Sequence, residues 1–320
     1  MPAATAVPAN PGMAATADAT IALVNVSRWY GNVVAINDIS ISLGPGVTGL
    51  LGPNGAGKST LLNMLAGLLR PSAGTLSILG STTWRRPELY RHVGLVPERE
   101  AVHPFLTGRE FVRLNARLQG LTDPDAAAVK AIGIVQLEDA QDRAIGTYSK
   151  GMRQRVKVAA ALVHEPPVLL LDEPFNGMDP RQRLHMMELL RHMGADGRTV
   201  LFSSHILEEV ERLAESVLVI FAGRLAASGN FREIRRLMTD RPHTFTIRSS
   251  DDRRLAAALV ADDSVFGVEL ANGVLEVRSS EYAAFTRQVA RIAQAADVRL
   301  FELRPTDESL ESVFAYLVRR

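Results

Sequence analysis

Nine residues constrain this chain more than any others: "GPNGAGKST", Gly52 to Thr60, set between the buried-looking run "VTGLL" and the leucine-rich run "LLNMLAGLL". The spacing G-x-x-x-x-G-K-[S/T], entered from a strand and left by a helix, describes a phosphate-binding loop. Its glycines let the backbone curl so that successive N–H groups face phosphate oxygens, and the helix adds the positive end of its dipole. Lys58 has the reach to meet β- and γ-phosphates, and the Ser59 hydroxyl suits Mg²⁺. Gly52, Asn54, Gly55, Gly57, Lys58, Ser59 and Thr60 are therefore expected to hold a nucleoside triphosphate.

Two further strand ends point the same way. "VLLLDEP" is an apolar run that ends in Asp172 and Glu173. In a buried parallel strand such groups emerge at the carboxyl edge, where the phosphate loop also lies. Asp172 is placed to hold Mg²⁺ through water, and Glu173 to orient or deprotonate an attacking water. "TVLFSSH" closes on His205, whose imidazole there would reach the γ-phosphate and the water.

Around these motifs the first half alternates strands ("IALVNVSRWY", "VVAINDISISL", "VTGLL") with helical patterns such as "KSTLLNMLAGLL", whose Leu61, Leu62, Leu65, Leu68 and Leu69 share a stripe. Strand signals vanish from about residue 98 to 165. "LTGREFVRLNARLQG" opens on a Thr107–Glu110 capping box and repeats Phe111, Leu114 and Leu118 at helical spacing; "TDPDAAAVKAIGIV" follows, with Thr122 or Asp123 as its cap. Strands return at "PVLLLDEP", "TVLFSS" and "SVLVIFAG". This predicts an α/β core over 21–235, with a helical subdomain at about 98–165. After residue 240 the order is β-α-β-β-α-β, with a hairpin dipeptide at Asn272-Gly273 and a terminal helix in "TDESLESVFAYLVRR". That is the ferredoxin-like pattern, and it predicts a small α+β accessory domain over 240–320.

At 320 residues the chain has room for both domains. Residues 1–20, rich in Ala, Pro and Thr, lack the basic and apolar regions of a signal peptide and are expected to be a disordered tail. No run approaches the roughly 18 apolar residues of a spanning helix, so any work at a membrane is expected to pass through a partner. Zero cysteines exclude disulfides and thiolate-held metals and fit a cytosolic setting. A net charge of +1 gives no general pull toward nucleic acid.

"TYSKGMRQRVKVAAALV" poses a charge problem. Lys150, Arg153, Arg155 and Lys157 crowd the start of a helix, the end where the macrodipole disfavours cations. By itself the stretch reads as an amphipathic helix with a cationic outer face; the dipole argument hints instead at a nearby anion. Only four of the 36 basic residues are lysines, and three of these, Lys58, Lys150 and Lys157, fall in or beside the motifs. Such sparing use suggests a need for a compact ammonium at these places.

These pieces in this order resemble the nucleotide-binding subunit of an ABC transporter over roughly residues 21–225. The resemblance implies a P-loop NTPase core of ABC type with an antiparallel β edge, an ATPase activity, and ATP with Mg²⁺ at the site. It makes Glu173 the catalytic carboxylate, His205 the switch histidine, Asp179 in "NGMDP" the D-loop acid, and Tyr30 in "RWYG" the aromatic that stacks on adenine. It places Glu98 in "GLVPERE" at the Q-loop position, a carboxylate where the family has glutamine, beside Ser59 and Asp172 as a Mg²⁺ ligand. "YSKGMRQR" takes the place of the signature, with Ser149 and Gly151 matching and Lys150 replacing its first glycine. By resemblance, two subunits, expected to form a homodimer, close head to tail, each ATP lying between one phosphate loop and the other signature helix. The anion Lys150 expects then becomes the partner-bound γ-phosphate. "YSKGM", "PFNGMDP" and the C-terminal extension are most similar to ATPase subunits of drug-resistance and sodium-extrusion exporters. Their permease is a separately encoded integral-membrane chain, which implies a cytoplasmic position on the inner face of the cell membrane. The competing reading is a soluble ABC-type ATPase acting on nucleic acid or the ribosome. A single phosphate loop, no long heptad run and a near-zero net charge argue against it.

Overall fold

Gly46–Leu51, here β3, is buried at all six positions, as expected of a parallel strand covered on both faces. The computed structural model describes residues 19–99, 102–230, 243–271, 274–279 and 281–305. The chain divides into two compact units, Met1–Ser228 and Gly229–Arg320. Residues 1–18 of the expected tail (1–20), the Asn272-Gly273 dipeptide and the terminal helix lie outside the described residues.

In the first unit β3 belongs to a six-stranded sheet with β6 (Val93–Val96), β7 (Val168–Asp172), β8 (Thr199–Ser204), β9 (Ser216–Phe221) and β10 (Arg224–Gly229), ordered β10-β9-β3-β8-β7-β6. The pairs β3–β8, β3–β9, β7–β8 and β6–β7 are parallel. Their register sets Leu51 beside Ser204 and Asp172 beside Ser203, so three motif-bearing strands end level. A second sheet joins β1 (Ile21–Tyr30), β2 (Val33–Leu43), β4 (Ala73–Ile78) and β5 (Ser81–Thr82) in the order β2-β1-β4-β5, all antiparallel. Between the sheets lies α1 (Lys58–Leu65), whose Leu61, Leu62, Met64 and Leu65 share one core with Ile21, Val26 and Ile36 on one side and Leu50, Leu170 and Leu201 on the other. Burying each such side chain stabilises the unit by about 1.5–3 kcal/mol.

Several expectations need correction. α1 stops at Leu65 rather than Leu69: Gly67 adopts φ +71, and Leu68 is left exposed. β4, β5, β6 and β10 were not anticipated, because short runs containing Gly and Ser hide strands that only pairing stabilises. Between β6 and β7 lie α2 (Gly108–Leu118), α3 (Pro124–Ile134) and α4 (Lys150–Leu162). The Thr107–Glu110 capping box forms as expected, and Asp123 rather than Thr122 caps α3. On α2, however, the buried face runs through Phe111, Val112 and Ala116, while Leu114 and Leu118 are exposed. Finally, α4 has no continuous cationic outer face. Lys150 is exposed, but Arg155 and Lys157 are buried because backbone carbonyls accept from both. α5 (Pro180–Ala195) and α6 (Leu207–Leu213) follow β7 and β8.

The second unit follows β11 (His243–Ser249), α7 (Asp252–Val260), β12 (Val265–Ala271), β13 (Val274–Ser279), α8 (Tyr282–Ala295) and β14 (Leu300–Pro305), an antiparallel sheet ordered β12-β13-β11-β14. Its core joins Phe245, Ile247, Leu275 and Val277 to Leu255, Leu259, Phe285 and Val289. The β-α-β-β-α-β order agrees with the period-2 and period-3.6 patterns of the sequence.

Candidate functional site

The loop after β3 owes its shape to Gly57, at φ +107, where an added Cβ would lie 2.4 Å from the Ala35 carbonyl. That residue is the N-cap of α1, so only glycine allows the helix N-terminus to begin directly behind the loop. Lys58, 7% exposed, donates from Nζ to the carbonyl of Gly52 at 2.7 Å and lies 3.8 Å from a Glu173 carboxylate oxygen. Asn54, Gly55, Gly57, Lys58, Ser59, Thr60, Glu98, Asp172 and Glu173 line one cavity of about 340 Å³, with Val33 to Ala35 as a further wall. Four segments far apart in sequence thus converge where β3 and β7 end.

Glu173 follows β7 with φ +49, a left-handed conformation uncommon for a non-glycine residue and typical of constrained functional positions. Its backbone N–H donates to Ser203 Oγ at 2.9 Å, and its carbonyl accepts from Gln154 of α4 at 3.4 Å. Ser203 Oγ in turn donates to Asp172 Oδ1 at 2.5 Å. One buried hydroxyl therefore braces both acids. His205 Nδ1 lies 2.9 and 3.0 Å from the two carboxylate oxygens of Glu173, which sits between an ammonium and an imidazole.

Beyond His205 the neighbouring Ser204 donates to Glu209 Oε2 at 2.6 Å, and Arg183 of α5 lies 3.6 Å from Glu209 Oε1. Burial pushes the Glu209 carboxyl above its usual range, with Glu173 adding to the rise and Ser204, Arg183 and His205 opposing it. The sequence reading missed Ser203, Ser204, Gln154 and Glu209. The serines could have been found only from the parallel register that sets Ser203 against Asp172.

Other expected residues stand apart from this cavity. Tyr30, 46% exposed, pairs with Val33 across the β1–β2 hairpin, so its strand neighbours line the cavity while its own ring is stacked by the Arg28 guanidinium 4.6 Å from its centroid. Asp179 caps α5, accepting from Gln182 N at 2.8 Å. Ser149 caps α4 in the same way, accepting from Met152 N at 3.2 Å. Lys150 runs its aliphatic stem over Gly177, where a Cβ would lie 2.5 Å from Lys150 Cγ, and buried Gly151 faces the Gly177 carbonyl. Residues 149–151 and 177–179 therefore form a second cluster on the same chain. The free N–H groups at the start of α4 and an exposed ammonium make its surface suited to an anion.

Which residues could hold a divalent cation follows from donor chemistry. Among the described residues no group of three His, Cys, Asp or Glu side chains is arranged to hold a metal ion by itself, so a cation would take oxygen from Ser59, Asp172 and Glu98 together with the ligand's own phosphates, the donor set that Mg²⁺ prefers.

Residues 36–176 match the family described as ABC transporter. The linearmycin resistance ATP-binding protein of Bacillus subtilis is 32% identical over 305 residues, covering 92% of this chain and 97% of that protein. The Nod factor export ATP-binding protein I of Burkholderia orbicola is 42% identical over 209 residues, 64% of this chain and 69% of that one. Among solved structures, an ATP-binding subunit of an ABC transporter superposes with TM-score 0.62 and 32% identity over 68% of this chain and 92% of its own. A dimeric, post-hydrolysis ATP-binding cassette bound to ADP and Pi gives TM-score 0.61 and 25% identity, covering 66% and 98%.

Proposed function

This chain belongs to the ABC transporter family as an ATP-binding and ATP-hydrolysing subunit, and from that premise we propose that it energises an exporter whose membrane-spanning permease is a separate chain. The observation that carries this reading is the convergence of Lys58, Glu98, Asp172 and Glu173 on one cavity beside His205. ATP enters with its phosphates on the N–H groups of the Gly52–Thr60 loop and with Lys58 neutralising the charge that develops on the γ-phosphate. Ser59, Asp172 and Glu98 would hold Mg²⁺, which when bound would supply further charge neutralisation. Glu173 accepts the proton of the attacking water, and His205, tied to Glu173 through Nδ1, keeps Nε2 for the water or the γ-phosphate. Tyr30 offers its open face to adenine. Ser149, Lys150 and Gly151 close over the γ-phosphate of a second copy's ATP, with Asp179 at the joint, so that binding drives head-to-tail dimerisation and hydrolysis releases it.

No described helix is long and apolar enough to cross a membrane, so coupling to transport needs a partner in the bilayer. Relatives named for linearmycin resistance and Nod factor export support the exporter reading, and that reading implies a position on the cytoplasmic face of the membrane. The test is purification of tagged full-length chain from its own cells. We expect it in the membrane fraction, with a polytopic chain, and with ATPase activity abolished by Lys58→Ala. Persistent recovery as a soluble complex with nucleic acid would sink the exporter assignment, while an inactive, non-binding wild-type chain would sink the ATPase role itself.

A further inference from the structure

Eight residues after Ser149, and roughly 12 Å along the axis of α4, Lys157 is 5% exposed. Its Nζ donates to the carbonyls of Pro97 at 2.7 Å and Arg99 at 3.2 Å and lies 3.5 Å from that of Glu98. An ammonium carries three donors on a flexible stem, so it can serve several carbonyls that a rigid guanidinium fork would not reach together. Removing a charge from water is costly, and a buried lysine persists only where such acceptors compensate it. The three carbonyls belong to the segment that leaves β6. On one side Glu98 of this segment lines the phosphate cavity. On the other, Pro97 and Lys157 themselves line a second cavity of about 290 Å³ with Tyr90, Phe111 and His164. α4 also touches the catalytic edge directly, through Gln154 to the Glu173 carbonyl.

We propose that Lys157 is a positioning residue for ATP hydrolysis: it ties the 97–99 backbone to α4, so that Glu98 and the Ser149 end of that helix are set as one piece. The inference rests on the reading above that Glu98 belongs to the ATP site. It accounts for a lysine in a chain that otherwise uses arginine, and it answers the charge puzzle at this position without any phosphate: the negative partners are carbonyl dipoles of the loop.

The experiment compares the full chain with Lys157→Met, Glu98→Gln and the double variant. It reads ATP affinity, steady-state KM and kcat, and the rate of tryptic cleavage after Arg99 followed by mass spectrometry. Lys157→Met is expected to lower kcat at least about tenfold with KM within about twofold, the pattern of lost positioning rather than lost binding. Cleavage after Arg99 accelerates at least about fivefold as the segment loses its anchor. In the Glu98→Gln background the same change costs less than about twofold more, because both act through one loop. Wild-type kcat in Lys157→Met, a full multiplicative loss in the double variant, or unchanged cleavage after Arg99 each overturn the proposal. If Lys157→Met does not melt cooperatively, Lys157→Gln is judged by the same criteria. A wild-type chain that binds ATP without hydrolysing it would count against the hydrolytic reading, and the Arg99 cleavage comparison then decides this inference alone.

Discussion

Ser203→Ala is the sharpest test of how the strand end that carries Asp172 and Glu173 is built. Ser203 is 0% exposed, accepts the Glu173 N–H at 2.9 Å and donates to Asp172 Oδ1 at 2.5 Å. Alanine removes both bonds and leaves a buried N–H and a carboxylate oxygen that solvent reaches poorly. A neutral bond contributes about 0.5–1.5 kcal/mol and one to a charged group about 1.5–3, so the expected loss is about 2–4.5 kcal/mol. The N–H that loses its partner belongs to Glu173, whose φ of +49 must be held in place by its surroundings. Turnover should therefore fall about 10- to 100-fold with KM nearly unchanged, because the proposed function puts binding on the Gly52–Thr60 loop and chemistry on the Glu173 carboxylate. The assay is guanidinium unfolding together with steady-state phosphate release. Thr199→Val supplies an internal control on the same strand. Thr199 Oγ1 is buried and has no hydrogen-bond partner among the described residues, so its removal should be neutral or mildly stabilising. A Ser203→Ala protein with wild-type stability and kcat would refute the bracing role.

Glu209 gives a pH test. Its carboxyl is held above its usual range, so between the unfolded and folded pKa values the folded state binds more protons than the unfolded. Its contribution to stability is therefore full below the unfolded pKa and is lost as pH rises through the folded one. Glu209→Gln should flatten that part of the stability–pH curve; an identical pH dependence in the two proteins would refute it. Thr107→Ala removes the hydroxyl that accepts Glu110 N at 3.1 Å in the capping box and should cost about 1 kcal/mol, read by chemical unfolding. Lys150→Ala should weaken ATP-induced dimerisation in light scattering if the exposed ammonium meets the opposed phosphate, and full retention would leave Lys150 a surface group packed on Gly177.

Local chemistry made much of this protein legible in advance. The phosphate loop, the Asp172-Glu173 strand end, His205, the capping box and the β-α-β-β-α-β order of the second unit each depend on short-range spacing that one stretch of chain carries by itself. The structure sets the phosphate loop, Glu98, Asp172 and Glu173 around one cavity, and the register of β3, β7 and β8 explains why their motifs meet. The charge problem at the start of α4 was the harder case. The helix at 150–162 was readable, but which cation faces what was not, since 3.6-residue periodicity defines faces without saying what packs on them. Three-dimensional pairing turned Arg155 toward the carbonyls of Val135 and Gln136 and Lys157 toward those of Pro97 and Arg99, leaving Lys150 outside. The same holds for Ser203, Gln154 and Glu209, ordinary residues until parallel strands and a packed helix bring them to the acids. The sequence alone determined where the glycine loop, the paired acids and the histidine stand along the chain, because residue types at fixed spacing are a local property. The tertiary structure alone decided what holds those groups in place, because a buried polar atom must find its partner wherever the fold puts one.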